Sequence, residues 1–275
     1  MRGSGFDETP EAPFSIGPVI GANPSFADLL RMQRPEAQPH VTGGAAEGLS
    51  AHGTTVIGLK FADGIVMAGD RRATEGYAIA DDKVEKVFNA DDHSAVAIAG
   101  AAGQAVEIVK LLQVELEHYE KVQGDLLSLE GKANRLAQLI RQNFPLALQG
   151  LIVVPIFGGF DLGRQQGRLF RYDATGGRWE EEDYMSTGSG GRPAKSSLKK
   201  LWRAGLSRDE AVRVAVEALR DAAQEDVATG GPDPTRGIYP LVKIVTAAGV
   251  EDVSNDEVRQ VYEAMIAGEQ SSGGG

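Results

Sequence analysis

The first residues of the first β-like run could together cleave an amide bond. Gly53 and Thr54 stand where a leader rich in Gly and Pro gives way to "TTVIGLKF". A Thr hydroxyl acts as a nucleophile when a free α-amine on the same residue takes its proton. Thr54 meets that condition only after the bond to Gly53 is cut, and Gly53, which lacks a Cβ, would let the hydroxyl approach the preceding carbonyl. Taken alone, the pair is more typical of an ordinary strand that follows a turn.

The other common nucleophiles have no support in the sequence. The chain contains no Cys, which removes thiol catalysis, disulfides and thiolate metal sites. The His residues lack a ligand-like spacing, and they are His40, His52, His93 and His118. We therefore expect neither a metal nor a cofactor.

Asp70 could assist Thr54. The run "TTVIGLKF-ADG-IVMAGDRRAT" predicts a hairpin around an Asp-Gly turn. A regular hairpin returns its second strand beside the start of the first. The carboxylate of Asp70 should therefore lie near Thr54.

Lys86 is the candidate cation. If "KVEKVF" is a strand, alternation places Lys86 on one face with Val84 and Phe88, and points Lys83 and Glu85 the other way. An ammonium held by the hairpin carboxylate would lower the pKa of a nearby hydroxyl and amine. The alternative is a surface lysine whose stem covers apolar neighbours.

Three Gly-containing segments supply further polar groups. In "IAGAAG", the N–H of Gly100 precedes a predicted helix and could donate to an oxyanion. In "STGSGG", Ser189 offers a hydroxyl at a turn, and in "EDVATGG", Asp226 and Thr229 are spaced to hydrogen-bond each other or a terminal amine. Each segment is also compatible with an ordinary helix end.

The elements that must position these residues follow a clear order. Hairpin-like strands precede two helices, further strands precede two more helices, and a closing strand and a short helix end the chain. The periodicity predicts helices over 102–122, 129–148, 192–204, 207–228 and 256–267. The later strands are predicted in "LIVVPIFGGFD", "RLFRYDA", "RWEEEDYMSTGSG" and "GIYPLVKIVTAAG". Grouped strands argue against a doubly wound parallel sheet and favour two antiparallel sheets between helix pairs.

Composition limits the function classes. The net charge of −11 argues against nucleic-acid binding, which needs many cations. Apolar runs fall short of the roughly 18–20 residues of a membrane helix, and the acidic N-terminus lacks the features of a secretory signal. We expect a cytoplasmic protein with a leader over 1–53, one domain over 54–267 and a flexible tail over 268–275. A short helix is predicted in the leader at "SFADLLRMQRP".

Taken together, these motifs resemble those of 20S proteasome β subunits, most closely the actinobacterial kind. The shared features are Gly-Thr-Thr-Val at the leader boundary, Gly-Asp-Arg-Arg, Lys86, Ile-Ala-Gly, Gly-Ser-Gly and Asp-x-x-Thr-Gly-Gly, in this order. The resemblance covers about 54–266. It implies an α+β fold, the four-layer αββα sandwich of N-terminal-nucleophile hydrolases.

The resemblance also implies roles for individual residues. Thr54 would be the nucleophile of a threonine endopeptidase, freed by cleavage after Gly53, and Asp70 and Lys86 would tune it. The amine and a water would be supported by Ser189, Asp226 and Thr229, the last standing where the family often has Ser. The oxyanion donor would be Gly100, and the substrate backbone would be aligned by Thr74, Gly100 and Ala102. The pocket for the residue before the cut would be lined by Ala73, Val84, Phe88, Ile98, Ala102 and Val106, which favours apolar residues.

The implied partners are those of an assembled chamber. β subunits would form seven-membered rings capped by rings of α subunits, and an ATPase ring would feed in unfolded or tagged proteins. Two alternatives remain at this point: another N-terminal-threonine amidohydrolase, and an inactive structural ring subunit.

Overall fold

Twelve strands and five helices make up the part of the chain that the computed structural model describes, residues 53–75 and 78–272. The helices are α1 (Ala102–Gln123), α2 (Leu129–Ala147), α3 (Gly191–Leu201), α4 (Arg208–Glu225) and α5 (Asn255–Ser272). The strands are β1 (Thr55–Phe61), β2 (Gly64–Gly69), β3 (Ala73–Glu75), β4 (Ala78–Asp81), β5 (Val87–Asp91), β6 (Ser94–Gly100), β7 (Val153–Asp161), β8 (Gln166–Tyr172), β9 (Arg178–Glu181), β10 (Tyr184–Gly188), β11 (Leu241–Thr246) and β12 (Gly249–Asp252).

The first sheet holds the start of the domain at its centre. Its strand order is β10-β1-β2-β11-β12, and all its neighbours are antiparallel. A two-residue turn joins β1 to β2, and the register sets Val56 opposite Gly69. The predicted hairpin is confirmed, and Asp70 follows β2 directly beside Thr55.

The second sheet lies against the first and is also antiparallel. Its order is β5-β6-β7-β8-β9. Apolar side chains from both inner faces, among them Val56, Ile65, Met67, Ala97 and Ile156, form a buried cluster between the sheets. This cluster fixes the distance between the end of β6 and the start of β1.

Helices cover both outer faces. The apolar sides of α1 and α2 bury Leu112 and Leu136 against the second sheet. On the other side, α3, α4 and α5 cover the first sheet, where Ala215 and Leu219 of α4 are fully buried. Ser207 caps α4 in a capping box with Glu210, as its sequence predicts. The resulting helix, sheet, sheet, helix layering confirms the predicted fold class.

Some local predictions were wrong. The run "RWEEEDYMSTGSG" is two strands, because a turn at 182–183 carries the chain from the edge of the second sheet to the edge of the first. The segment "GIYPLVKIVTAAG" does contain a strand, β11, but that strand does not close the sheet, because a turn at 247–248 leads into β12. The hairpin of β3 and β4 has no counterpart in the sequence prediction. The predicted helix in the leader lies outside the described residues.

Candidate active site

Thr54 lies at the start of β1, where its hydroxyl faces the preceding peptide bond. Its Oγ1 donates to the carbonyl oxygen of Gly53 at 2.8 Å, and the residue is only 5% exposed. The N–H of Ser189 donates to the Thr54 carbonyl at 2.9 Å, which continues the pairing of β10 with β1. The sheet therefore fixes the backbone of Thr54 and leaves its hydroxyl beside the carbonyl of Gly53.

Gly53 is a steric requirement of this site. A Cβ built at Gly53 would overlap the Cβ of Ala228 and lie 2.8 Å from the Ala228 carbonyl oxygen. Its N–H donates to Oγ1 of Thr74 at 3.1 Å. The bond between Gly53 and Thr54 is therefore held between β3 and the segment that follows α4.

Lys86 and Asp70 form a buried ion pair next to that bond. The Lys86 Nζ lies 2.7 Å from Asp70 Oδ1, and the two side chains are 5% and 0% exposed. The ammonium also donates to the Arg72 carbonyl at 2.5 Å and to the Gly53 carbonyl at 3.4 Å. Burial lowers the pKa of the Lys86 ammonium, and the adjacent Asp70 carboxylate counters that effect only in part.

Backbone donors hold the Asp70 carboxylate in place. Oδ1 accepts from the N–H of Thr55 at 2.7 Å, and Oδ2 accepts from the N–H groups of Arg72 and Gly230, each at 2.9 Å. A buried carboxylate needs such donors because burial removes its hydration. These hydrogen bonds connect Asp70 to the start of β1, to Arg72 just after β2 and to the segment after α4.

A chain of hydroxyl groups connects the Thr54 nitrogen to Asp226. Ser189 Oγ accepts from Thr54 N at 3.3 Å and donates to Asp226 Oδ2 at 2.5 Å. Thr229 Oγ1 donates to the same Asp226 oxygen at 2.6 Å. Thr55 Oγ1 lies 2.6 Å from Thr229 Oγ1, and because the Thr229 proton goes to the carboxylate, Thr55 is the donor of that bond.

The carboxylate of Asp226 is kept ionised by this chain. Burial raises its pKa, but the hydrogen bonds from Ser189 and Thr229 outweigh burial and hold the pKa of Asp226 below its ordinary value. Of the three groups predicted to support the amine, only Ser189 contacts the Thr54 nitrogen. Asp226 acts on that nitrogen through Ser189, whereas Thr229 connects Asp226 to Thr55.

Gly100 ends β6 on the other side of Thr54. Its φ is +119°, and a Cβ there would overlap the carbonyl oxygen of Ile152, so a side chain is excluded on both grounds. The next residues begin α1, whose first residue is Ala102. Gly100 and Ala102 both line a cavity that also reaches Thr54.

That cavity has a volume of about 40 Å³ and is lined by the residues predicted to receive the side chain before the cut. Its apolar lining includes Ala73, Val84, Phe88, Ile98, Ala102 and Val106. The alternation prediction was wrong for Glu85, which also lines the cavity and is exposed. Residues 83–86 belong to no strand, since β5 begins only at Val87, so they need not alternate between two faces.

Comparison with known proteins identifies the family of the chain. The family model described as "Proteasome subunit" matches residues 50–233. The chain belongs to the proteasome subunit family. Similar proteins include the "Proteasome subunit beta" of Frankia casuarinae, 51% identical over 91% of this chain and 92% of its own length. That of Acidimicrobium ferrooxidans is 53% identical over 86% of this chain and 87% of its own length. That of Acidothermus cellulolyticus is 51% identical over 91% of this chain and 89% of its own length.

Several groups in this proteasome subunit were missed by sequence reasoning. They are the Thr55 hydroxyl, the Arg72 carbonyl, the Gly230 N–H and the Ala228 methyl group. Three of the four act through backbone atoms or simple bulk, for which side-chain identity gives no signal. Thr55 could have been found, because its side chain carries a hydroxyl and it directly follows Thr54 in the sequence. In the structure Thr55 is the first residue of β1, and its Oγ1 accepts from the N–H of Gly190 at 2.9 Å.

The residues that the structure describes contain no group of three or more acidic or His side chains placed to hold a metal ion. None of their helices is long and apolar enough to cross a membrane.

Proposed function

We propose that this proteasome subunit is a catalytic β subunit of a 20S proteasome, a threonine endopeptidase made with a leader that ends at Gly53. The observation that supports it best is the hydrogen bond of 2.8 Å between Thr54 Oγ1 and the Gly53 carbonyl, beside the buried Lys86 ammonium. A purely structural subunit would not need a buried ion pair at that peptide bond. The mature domain would then span 54–267.

The first reaction would release the leader. Thr54 Oγ1 would attack the carbonyl carbon of Gly53, and the C–N bond would break to give an ester and the free amine of Thr54. Water would then cleave the ester, which leaves a carboxylate on Gly53 and regenerates the hydroxyl. The Lys86 ammonium, whose Nζ lies 3.4 Å from the carbonyl oxygen, would stabilise the negative charge that develops there.

Substrate hydrolysis would reuse the same atoms. The freed amine would take the hydroxyl proton as Oγ1 attacks the substrate carbonyl and would pass it to the leaving amine. Ser189 Oγ, which lies 3.3 Å from the Thr54 nitrogen in the uncut chain, would orient that amine, and Asp226 would orient Ser189. The N–H of Gly100 would donate to the oxyanion, and Thr74 and Ala102 would align the substrate backbone.

The finer features of assembly belong to the same proposal. We expect seven-membered β rings stacked with α-subunit rings in the cytoplasm, with an ATPase ring delivering unfolded or tagged proteins. An enclosed chamber would keep a nucleophile of broad specificity away from other proteins.

Intact mass of the assembled protein tests the proposal. The wild-type chain should lose residues 1–53, and Thr54→Ala should retain all or part of them and lose peptide hydrolysis. An assembled wild-type complex with an uncut leader would instead favour the structural ring subunit. Hydrolysis of small amides that neither needs α subunits nor extends to unfolded proteins would favour another N-terminal-threonine amidohydrolase.

A further inference from the structure

Thr55 is a buried residue that connects the two carboxylates of the site. Its backbone N–H donates to Asp70 Oδ1 at 2.7 Å, and its hydroxyl reaches Asp226 through the hydroxyl of Thr229. Thr55 and Thr229 are each 0% exposed, so bulk water does not reach either hydroxyl. Such a strand position ordinarily favours an apolar β-branched side chain, because a buried hydroxyl without a partner costs free energy. The contribution of the Thr55 hydroxyl therefore lies in its hydrogen bonds.

The hydroxyl protons between Gly190 and Asp226 can take only one direction. The N–H of Gly190 donates to Thr55 Oγ1 at 2.9 Å. The carboxylate of Asp226 can only accept, and its Oδ2 accepts from Thr229 Oγ1 at 2.6 Å. Because each hydroxyl has a single proton, Thr55 donates to Thr229 across the 2.6 Å between their oxygens. Successive hydrogen bonds in such a chain polarise and strengthen one another.

Both ends of this chain act on Ser189. Asp226 Oδ2 accepts from Ser189 Oγ at 2.5 Å, which leaves the lone pairs of that hydroxyl to accept from the Thr54 nitrogen at 3.3 Å. The alternative acceptor for the Ser189 proton, the Thr54 carbonyl, lies farther away at 3.4 Å. Gly190 directly follows Ser189, so its bond to Thr55 fixes the backbone that carries the Ser189 side chain. A Cβ at Gly190 would lie 2.5 Å from Thr55 Oγ1, so this close approach requires Gly.

Building on the proposed function, we propose that Thr55 is a positioning residue, whose hydroxyl holds Ser189 and Asp226 where they orient the freed amine of Thr54. That amine can take the proton of Oγ1 only when its lone pair faces the hydroxyl, and an acceptor fixed on one side of the nitrogen selects this orientation. Thr55 acts through its neighbours and makes no bond to substrate. Leader removal does not need the orientation, because the Thr54 nitrogen is then part of a peptide bond.

Thr55→Ala and Thr55→Ser test this assignment on the assembled protein. Both variants lack the γ-methyl group, so they differ from each other by the hydroxyl alone. Intact mass should show that both lose residues 1–53. For a fluorogenic peptide amide, kcat of Thr55→Ala should fall about tenfold or more while KM stays within about twofold of the wild type. Thr55→Ser should recover most of kcat.

Thr246→Ala is the matched control for the loss of a threonine hydroxyl. Thr246 ends β11 and pairs with Gly64, at the end of the same sheet that lies opposite Thr55. Its Oγ1 also accepts from a backbone N–H, that of Ala248, at 3.2 Å. The same kind of hydrogen bond is therefore removed away from the site, and kcat and KM should both stay at the wild-type values.

A double variant tests whether Thr55 acts through Thr229. The loss of kcat in Thr55→Ala with Thr229→Ala should be well below the product of the two single losses, because the two hydroxyls belong to one chain. A loss equal to that product, or equal kcat in Thr55→Ala and Thr55→Ser, would overturn the assignment. A Thr55→Ala chain that keeps its leader or does not assemble would also overturn it, because the hydroxyl would then serve the fold. Hydrolysis by the wild type but not by Thr54→Ala shows that the catalytic proposal stands by itself, whatever the Thr55 variants do.

Discussion

Asp70 and Lys86 are unequal partners in their buried ion pair. The Asp70 carboxylate accepts three backbone N–H bonds in addition to the ammonium. Apart from Asp70, the Lys86 ammonium has only the carbonyl oxygens of Arg72 and Gly53 among the residues that the structure describes, the second at 3.4 Å. Loss of the cation therefore leaves a carboxylate that is still solvated by the backbone, whereas loss of the anion leaves a buried ammonium with only neutral partners among those residues.

This asymmetry predicts different stabilities for two variants that we expect to be inactive. Asp70→Asn should lower the free energy of unfolding by about 3–5 kcal/mol, the usual cost of an uncompensated buried charge. Lys86→Met should cost less, because the N–H donors remain on Asp70. Chemical denaturation of the two purified variants measures the difference. If Lys86→Met is the less stable of the two, the backbone donors do not compensate the carboxylate as argued.

The lowered pKa of Lys86 predicts opposite pH trends for stability and activity. An unfolded lysine releases its proton near pH 10.5, and folded Lys86 does so at lower pH. Between these values the unfolded state binds more protons, so the free energy of unfolding should rise with pH across that window. Hydrolysis should fall across the same window as the ammonium is lost.

Two variants separate the contribution of Lys86 from that of other groups. Lys86→Met should remove its part of the rise in stability, whereas Lys83→Met, whose side chain is exposed, should leave both profiles unchanged. Denaturation and peptide hydrolysis measured between pH 7 and 11 give the two profiles. An activity that persists undiminished beyond pH 10.5 would contradict the role of the ammonium.

Gly53 predicts a steric test of leader removal. Gly53→Ala should slow or stop the loss of residues 1–53, because the new Cβ would overlap Ala228 and displace the carbonyl that Thr54 must attack. Adding Ala228→Gly should restore cleavage in part, since it removes the overlap with the Ala228 Cβ and leaves only the 2.8 Å contacts with the Ala228 backbone. Intact mass followed over time reports both.

Gly103→Ala is the matched control for the Gly53 variant. A Cβ at Gly103 meets no atom within 4 Å, and Ala is favoured over Gly within a helix such as α1. Cleavage should proceed at the wild-type rate in this variant. If the double variant Gly53→Ala with Ala228→Gly remains as slow as Gly53→Ala, the Ala228 backbone or the backbone freedom of Gly53, rather than the Ala228 methyl group, sets the requirement.

The sequence predicts relationships that depend on local geometry. Asp70 is placed near Thr54 by a two-residue turn, and Asp226 and Thr229 meet because they are three residues apart. The order of strands and helices is enough to predict the four layers, because apolar faces must be covered on both sheets.

The sequence did not predict the long-range contacts that are made by backbone atoms. The N–H of Gly230 reaches Asp70 from 160 residues away, and no side chain marks it as a donor. The position of Glu85 was missed for a related reason. Its neighbours look like a strand by composition, but residues 83–86 belong to no strand, and Val84 and Lys83 instead bond to the Arg71 carbonyl and the Asp81 carboxylate, an arrangement that strand periodicity does not describe.

Glu85 leads to a prediction about the residue before the cut. Apart from Thr54, Glu85 and Lys86, the described residues that line the cavity beside Thr54 are apolar or Gly, and the charge of Lys86 is compensated by Asp70. Peptides with Leu or Val before the cut should be cleaved fastest, and peptides with Asp should be cleaved slowest, because Asp would meet both apolar walls and the Glu85 carboxylate. Values of kcat/KM for a panel of such peptides give the order.

Glu85→Gln isolates the electrostatic part of that order. It should raise kcat/KM for the Asp peptide by severalfold and leave the Leu peptide nearly unchanged, because only the like-charge repulsion is removed. Raising the salt concentration should narrow the difference in the wild type, since Glu85 is exposed and its field is screened. Fastest cleavage after Arg or Asp by the wild type would contradict the apolar preference, and an Asp peptide that does not respond to Glu85→Gln would show that the carboxylate points away from the cavity.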